Sequence, residues 1–240
     1  MAETASTNTE VAAAAAGGEP EGLVVAADHQ TAGRGRMGRT WTAPAGSALL
    51  TSFLLRPPAD RVHLAVTAVA CAAAEACGRV VGSEPQLKWP NDLVVDSADG
   101  TRKMAGVLAE AVTDGDRVTA VVVGLGLNVV RAPDFPPELD AIATSLDRMG
   151  NVPVDRRKLL EVICEELESR CETMLARPGE LISEYRRRCV TIGQAVRIEQ
   201  PGHTWEGRAT DIGDDGTLEV RTSSGMKRVE AGDVIHLRPA

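Results

Sequence analysis

Between Gln86 and Val130 the chain alternates short apolar runs with turn residues: QLKW, Pro90-Asn91-Asp92, LVVD, Asp99-Gly100, KMAGVLAEAV, Asp114-Gly115-Asp116 and VTAVVVGLGLNVV. Asp-Gly steps between apolar runs of strand length fit tight hairpin turns, so consecutive strands here pair antiparallel. Two more strand-length runs, LVVAAD over 23–28 and SALLTSFLLRP over 47–57, precede this block. The expected fold class is α+β, with a mixed, largely antiparallel sheet packed against helices rather than a doubly wound parallel sheet.

Helices are predicted around this sheet. Ser6, Thr7 or Asn8 can cap an alanine-rich helix that Gly17 and Gly18 stop. Alanine content predicts a second helix over 60–78, ending at Gly78. Leu159, Ile163, Leu167, Cys171 and Met174 recur every three or four residues, which makes one apolar stripe on a charged helix over 155–176. A short helix over 180–189 follows. From Ile192 the texture changes to AVRIE, HTWEGRATDI, TLEVR, MKRVEA and VIHLRP, five short strands that predict a small β-barrel. The domains expected are 1–190 and 191–240.

Composition narrows the function classes. A chain of 240 residues, 43% hydrophobic, can build one substantial core and a small satellite. A net charge of -8 argues against an extended nucleic-acid surface, so no nucleic-acid partner is expected. The five cysteines include no C-x-x-C pair and the four histidines are scattered, which suggests neither a disulfide framework nor a zinc site. There is no signal-peptide pattern and no uninterrupted apolar run of membrane-spanning length, so a cytoplasmic protein without a membrane partner is expected.

The stretch HQTAGRGRMGRTW over 29–41 contains G-x-G-x-x-G. A dinucleotide site would need a helix to open directly after the glycines, whereas RTWTAPAGS leads into another strand. A kinase loop fails too, because its companion motifs are absent. What remains is a loop in which Gly33, Gly35 and Gly38 permit close backbone approach while Arg34, Arg36 and Arg39 supply charge, suited to enclosing an anion. A solvated basic loop, with Trp41 as a core anchor, is the plainer alternative. Three other stretches stand out. KWPNDLVV gathers Lys88, Asn91 and Asp92, which a simple hairpin also explains; KMAGVLAE places Lys103 ahead of Gly106, a position that admits a close neighbour; and GLGLNV ends on the lone polar Asn128.

In this order, with Ser6-Thr7-Asn8 before them and Ala143-Thr144-Ser145-Leu146 after, the four stretches closely resemble biotin protein ligase, and the C-terminal strands resemble that family's SH3-like barrel. The resemblance implies a class II aminoacyl-tRNA synthetase-like catalytic domain. It implies an enzyme that joins biotin to ATP as biotinyl-AMP and then passes biotin to a lysine of a biotin carboxyl carrier domain of an acyl-CoA carboxylase. ATP and Mg²⁺ are the implied cofactors, and a monomer or weak dimer the implied state.

Carried over by position, Ser6, Thr7, Asn8 and Gln30 would surround biotin's ureido head. Gly33, Arg34, Gly35 and Arg36 would lie along biotin, with Gly106 close by, and Lys103 would stabilise charge between the biotin carboxylate and the α-phosphate. Arg34, Arg36 and Arg39 would neutralise the two anions. Arg36, Arg39, Trp41, Lys88, Asn91 and Asn128 would hold the nucleotide, with Asp92 as a Mg²⁺ contact or proton acceptor. Two departures stand out: only MAETA precedes Ser6 where the family has a full strand, and no helix-turn-helix domain is seen, so a ligase without DNA binding is expected. A lipoate or octanoate ligase of related fold is the alternative, although its R-R-x-S-G-G-G motif and its nucleophilic cysteine beside a lysine are not visible.

Overall fold

Hairpin after hairpin, the turn-punctuated block folds into four adjacent strands at one side of an antiparallel sheet. The structure is a computed structural model and describes residues 1–97, 100–132, 139, 141–200, 202–230 and 232–237. In chain order the N-terminal elements are β1 (Glu3–Thr4), α1 (Thr7–Ala16), β2 (Val24–Ala27), β3 (His29–Gln30), β4 (Ala48–Leu55) and α2 (Ala65–Val81). Four strands follow, β5 (Gln86–Lys88), β6 (Asp92–Ser97), β7 (Gly100–Asp114) and β8 (Arg117–Asn128), then α3 (Leu146–Gly150), α4 (Arg156–Ala176) and α5 (Pro178–Arg188). The chain closes with β9 (Ala195–Gln200), β10 (His203–Ile212), β11 (Leu218–Thr222), β12 (Gly225–Val229) and β13 (Asp233–His236).

Six strands form the main sheet in the order β2-β4-β8-β7-β6-β5, each neighbouring pair antiparallel. Among the described residues parallel pairing is confined to the short β1-β3 ladder and two isolated bridges, Leu87 with Cys189 and Lys103 with Ala143. The Gly115-Asp116 turn joins Asp114 to Arg117 as a two-residue hairpin, with Gly115 at φ 57. The expected Asp99-Gly100 turn lies partly outside the described residues. Although only five residues precede Ser6, the N-terminal segment is tied in: the Met1 ammonium donates to Ala26 O at 2.8 Å, and Thr31 N to Thr4 O at 3.0 Å.

Alternation along β4 separates the two faces of the sheet. Leu49, Phe53 and Leu55 join the main core with α2, α4 and α5, whereas Leu54 packs with Val11 and Ala15 of α1 on the other side. The stripe on α4 faces inward as its periodicity requires: Leu159, Ile163, Leu167 and Met174 are buried and Cys171 half-buried. Asp155 caps that helix, accepting from Arg157 N and Lys158 N.

Three expectations change. Gly78 does not end α2; the helix continues to Val81 and stops at Gly82, whose φ of 76 is the left-handed cap and whose N–H donates to Gly78 O. Within Ala59–Val81 an 18-residue window of mean hydropathy 1.6 has the length and apolarity of a membrane span, but 67% of that window is buried inside the protein, as befits a core helix. Last, the C-terminal strands pair in the order β12-β11-β10-β9-β13. Among the described residues β13 adds beside β9 and does not pair with β12, so these pairings do not close the expected small barrel into a ring.

Candidate active site

The face of the sheet on the α1 side carries a cleft of about 320 Å³. Its floor is made by absent side chains. In the registers Ser52-Gly124-Leu108 and Leu50-Gly126-Gly106, residues directly opposite one another share a face, so Gly124, Gly126 and Gly106 clear one patch of it. Asn8 occupies the space over Gly124, where a Cβ would overlap its amide. Trp41 lies over Gly126 and Gly106, where Cβ atoms would stand 2.6 Å and 3.3 Å from its ring.

One end of the cleft is polar and neutral. Ser6, Thr7 and Asn8 are buried at the start of α1, and Thr7 donates to Gln30 Oε1 from N at 2.7 Å and from Oγ1 at 3.1 Å. Ser52 Oγ lies 2.7 Å from Thr7 Oγ1 and 2.5 Å from Asn8 Oδ1. These partners hold uncharged donors and acceptors in fixed directions, as recognition of a neutral polar group requires.

The other end is cationic. Lys88, Lys103, Arg36 and Arg39 line it, with Asn91 from the turn before β6 and Asp92 at the start of that strand. Lys103 Nζ is ion-paired with Asp92 Oδ1 at 2.6 Å and stands 5.5 Å from the centre of the Trp41 ring. Its backbone is clamped by Lys103 N donating to Ile142 O and Thr144 N donating to Lys103 O. Arg36 Nη1 donates to Asn91 Oδ1 at 3.3 Å, and Asn91 Nδ2 donates to Val107 O at 2.7 Å. Burial lowers the pKa of Arg36, against the pull of Asp92. Burial also lowers that of Lys88, with Asp92 opposing and Lys103 reinforcing the shift. Desolvated cations crowded together are relieved by an entering anion, so this end is electrostatically ready for one.

Between the ends runs the glycine loop. Trp41 N donates to Gly33 O at 3.0 Å, Gly35 N to Arg39 O at 2.7 Å, and Arg34 bridges Thr40, so the loop doubles back on itself. A Cβ on Gly33 would sit 2.4 Å from Trp41 O, which excludes any other residue without movement. Met37 and Gly38 turn the tip with φ of 55 and 73.

The structure thus gathers Ser6, Thr7, Asn8, Gln30, Arg34, Gly35, Arg36, Arg39, Trp41, Lys88, Asn91, Asp92, Lys103 and Gly106 around one cleft. Gly33 lies outside it, in the groove on the outer side of the loop. Asn128 is also outside: it shares the face of Gly126 but sits one pleat repeat further along β8, where Nδ2 donates to Thr144 O beside a small separate cavity. Sequence reasoning missed Gly124 and Gly126, although G-x-G in a Val/Leu strand signals one cleared face. It also missed Glu199, Val234 and Ile235, which the C-terminal sheet brings to the cleft and which no local pattern marks.

The model of the biotin/lipoate A/B protein ligase family matches residues 3–128, and that of the biotin protein ligase C-terminal domain matches residues 191–237. The chain belongs to the biotin/lipoate A/B protein ligase family. It is 37% identical over 99% of its length to a biotin–[acetyl-CoA-carboxylase] ligase of Mycobacterium tuberculosis, covering 88% of that protein. To the ligase of the same description from Paracoccus denitrificans it is 30% identical, with 98% of each chain covered. The family's fold recurs in a biotin protein ligase from Aquifex aeolicus solved with biotin and ATP, at a TM-score of 0.83 and 24% identity, covering 100% of this chain and 97% of that one. The cleft assembled above is therefore the candidate active site of a ligase.

Proposed function

We propose that this ligase activates biotin with ATP as biotinyl-5′-AMP, releasing pyrophosphate, and transfers biotin to a lysine of a biotin carboxyl carrier domain. The observation that carries the reading is the polarity of the cleft: fixed neutral donors and acceptors at one end, converging cations at the other. Biotin has the same asymmetry, an uncharged ureido head and a carboxylate tail, and its partner in the first step is a polyanion.

On this reading Ser6, Thr7, Asn8 and Gln30 receive the ureido group. Arg34 and Arg36 lie along biotin and the phosphates. Lys103, held at the cationic end by its bond to Asp92, is placed to stabilise the charge that grows as the biotin carboxylate oxygen attacks the α-phosphorus and the bond to pyrophosphate breaks. Both reactants are anions, so alignment and neutralisation are the catalytic tasks and no protein nucleophile is needed. Trp41 offers a ring for the adenine, with Lys88, Arg39 and Asn91 around the nucleotide. In the second step the acceptor amine attacks the acyl carbon and AMP leaves, with Asp92, a carboxylate of the cleft beside Lys103, to take the amine's proton. Asn128, outside the cleft, is assigned only to its rim.

Among the described residues no three His, Cys, Asp or Glu side chains gather into a metal site, and Asp92 faces Lys103. That donor set fits a Mg²⁺ ion carried in by phosphate oxygens with Asp92 as its one protein carboxylate. Bound there, the ion would neutralise phosphate charge.

The acetyl-CoA-carboxylase in the name of the relatives supports a carboxylase carrier as acceptor. A cysteine-dependent octanoyl transfer is disfavoured by geometry: none of the five cysteines lines the cleft. The test is to incubate the protein with ATP, Mg²⁺, a carrier domain and either biotin or lipoate, and to weigh the carrier. A biotin-sized mass gain on one lysine is expected; a lipoyl gain without a biotinyl one would overturn the assignment.

A further inference from the structure

Glu110, in the outer half of β7, lies outside the cleft and takes no part in the chemistry above. Its Oε2 nevertheless accepts two hydrogen bonds, one from the helix α1 side and one from the glycine loop: from Asn8 Nδ2 at 2.7 Å and from Arg34 Nη2 at 2.9 Å. Arg34 Nη2 also donates to Thr9 Oγ1 at 3.2 Å, one residue beyond Asn8 on α1. Across the described side chains, this is the point where the glycine loop is tied to the neutral end of the cleft.

A carboxylate can only accept, so Asn8 must present its Nδ2 to Glu110 and its Oδ1 to the Ser52 hydroxyl. Glu110, with Leu108 O accepting from the same Nδ2 at the longer distance of 3.3 Å, sets which way the Asn8 amide points, and by the same oxygen Glu110 holds the first arginine of the loop. We propose that Glu110 is a positioning residue that couples the head-group site to the glycine loop: a latch that keeps the loop closed while Asn8 is correctly oriented. The Arg34 and Glu110 side chains are 45% and 34% exposed, and an ion pair that wet is weak. Weakness suits a latch that must open in every turnover. The proposal rests on the biotin-ligase reading for its consequence, though not for its geometry.

The experiment compares wild type with Glu110→Gln and Glu110→Ala. Glu110→Gln keeps shape but can turn its own NH₂ toward Asn8 or Arg34, losing the acceptor-only constraint. Trypsin cleavage after Arg34, Arg36 or Arg39 in the ligand-free protein should accelerate two- to five-fold in both variants, with unchanged thermal unfolding. In turnover, KM for biotin should rise more than kcat falls, and free biotinyl-adenylate should escape faster relative to transfer. Arg34→Gln should raise escape on its own, and adding Glu110→Gln should then change little, because both act through one bond. Unaltered cleavage, escape and KM in Glu110→Gln would overturn the latch, as would additive effects of the two substitutions. If the wild type made no biotinyl-adenylate, the ligase reading would fall, and the ligand-free cleavage rates would still decide for or against the latch.

Discussion

The three arginines of GRGRMGR have different work. Arg34 lines the cleft while bonded to Glu110 and Thr9, Arg36 is half-buried and reaches Asn91, and Arg39 lines the cationic end. Residue type was enough to foresee a charged, tightly turned loop, because glycine permissiveness and guanidinium charge are intrinsic. Which partner each arginine takes depends on β6 and β7, which only the fold brings near. The converse holds for Gly126, visible in the sequence yet overlooked because its role is to be empty. Alanine there would put a Cβ 2.6 Å from Trp41 Cε2 and push the ring off the floor. Since stacking a base on an aromatic ring is worth roughly 1–3 kcal/mol, Gly126→Ala should weaken ATP binding about tenfold or more. Titration calorimetry of ATP against the variant checks this; undiminished affinity would remove Trp41 from the adenine site. Lys103→Ala should lower pyrophosphate release by about 10²–10³-fold, the usual loss of one charge-stabilising donor, with circular dichroism unchanged. Retained release would displace Lys103 from its role.

At the scale of elements, hairpins were the most legible feature and helix ends the least. Apolar runs broken by Asp-Gly specify antiparallel pairing locally, and β5 to β8 follow it. The end of α2 was misplaced because glycine has two uses near a helix terminus. Gly78 is helical and small because Glu84 packs against it, whereas Gly82 adopts the left-handed φ of 76. A side chain in that conformation costs about 1–2 kcal/mol, so Gly82→Ala should lower Tm by roughly 2–4 °C or somewhat more. Gly78→Ala should lower it less: alanine gains about 1 kcal/mol in a helix interior, and the obstructing Glu84 side chain can swing aside. Calorimetric melting of the two variants side by side tests the assignment, and a larger loss at Gly78 would contradict it.

The whole molecule depends on contacts that join its C-terminal sheet to the six-stranded sheet and its helices. Trp89 Nε1 donates to Gly216 O at 2.9 Å, Arg186 Nε donates to Ile212 O at 2.6 Å, and Thr191 Oγ1 accepts from Trp89 N while lying 3.2 Å from His236 Nε2. Through these the C-terminal sheet brings Glu199, Val234 and Ile235 to the cleft, which no stretch of the sequence announces because each partner is distant along the chain. His236 gives this junction a pH signature. Burial, with the charge of Lys88 adding to it and Asp96 opposing, pushes its pKa down from 6.5 to about 4. In the unfolded chain an ordinary histidine takes up its proton near 6.5, so on acidification the unfolded state binds that proton first. The stabilisation from holding His236 neutral is therefore complete above pH 6.5 and is lost as pH falls toward 4. Glu166 and Asp215, whose carboxyl pKa values are lowered by arginine and threonine partners despite burial, lose their contribution as pH falls below the ordinary carboxylate range. The two windows barely overlap. Urea midpoints measured between pH 7.5 and 4.5 should decline for the wild type, and His236→Gln, which keeps a hydrogen-bonding group for Thr191 but cannot titrate, should decline distinctly less. Parallel slopes for the two proteins would show that this junction does not sense acid through His236.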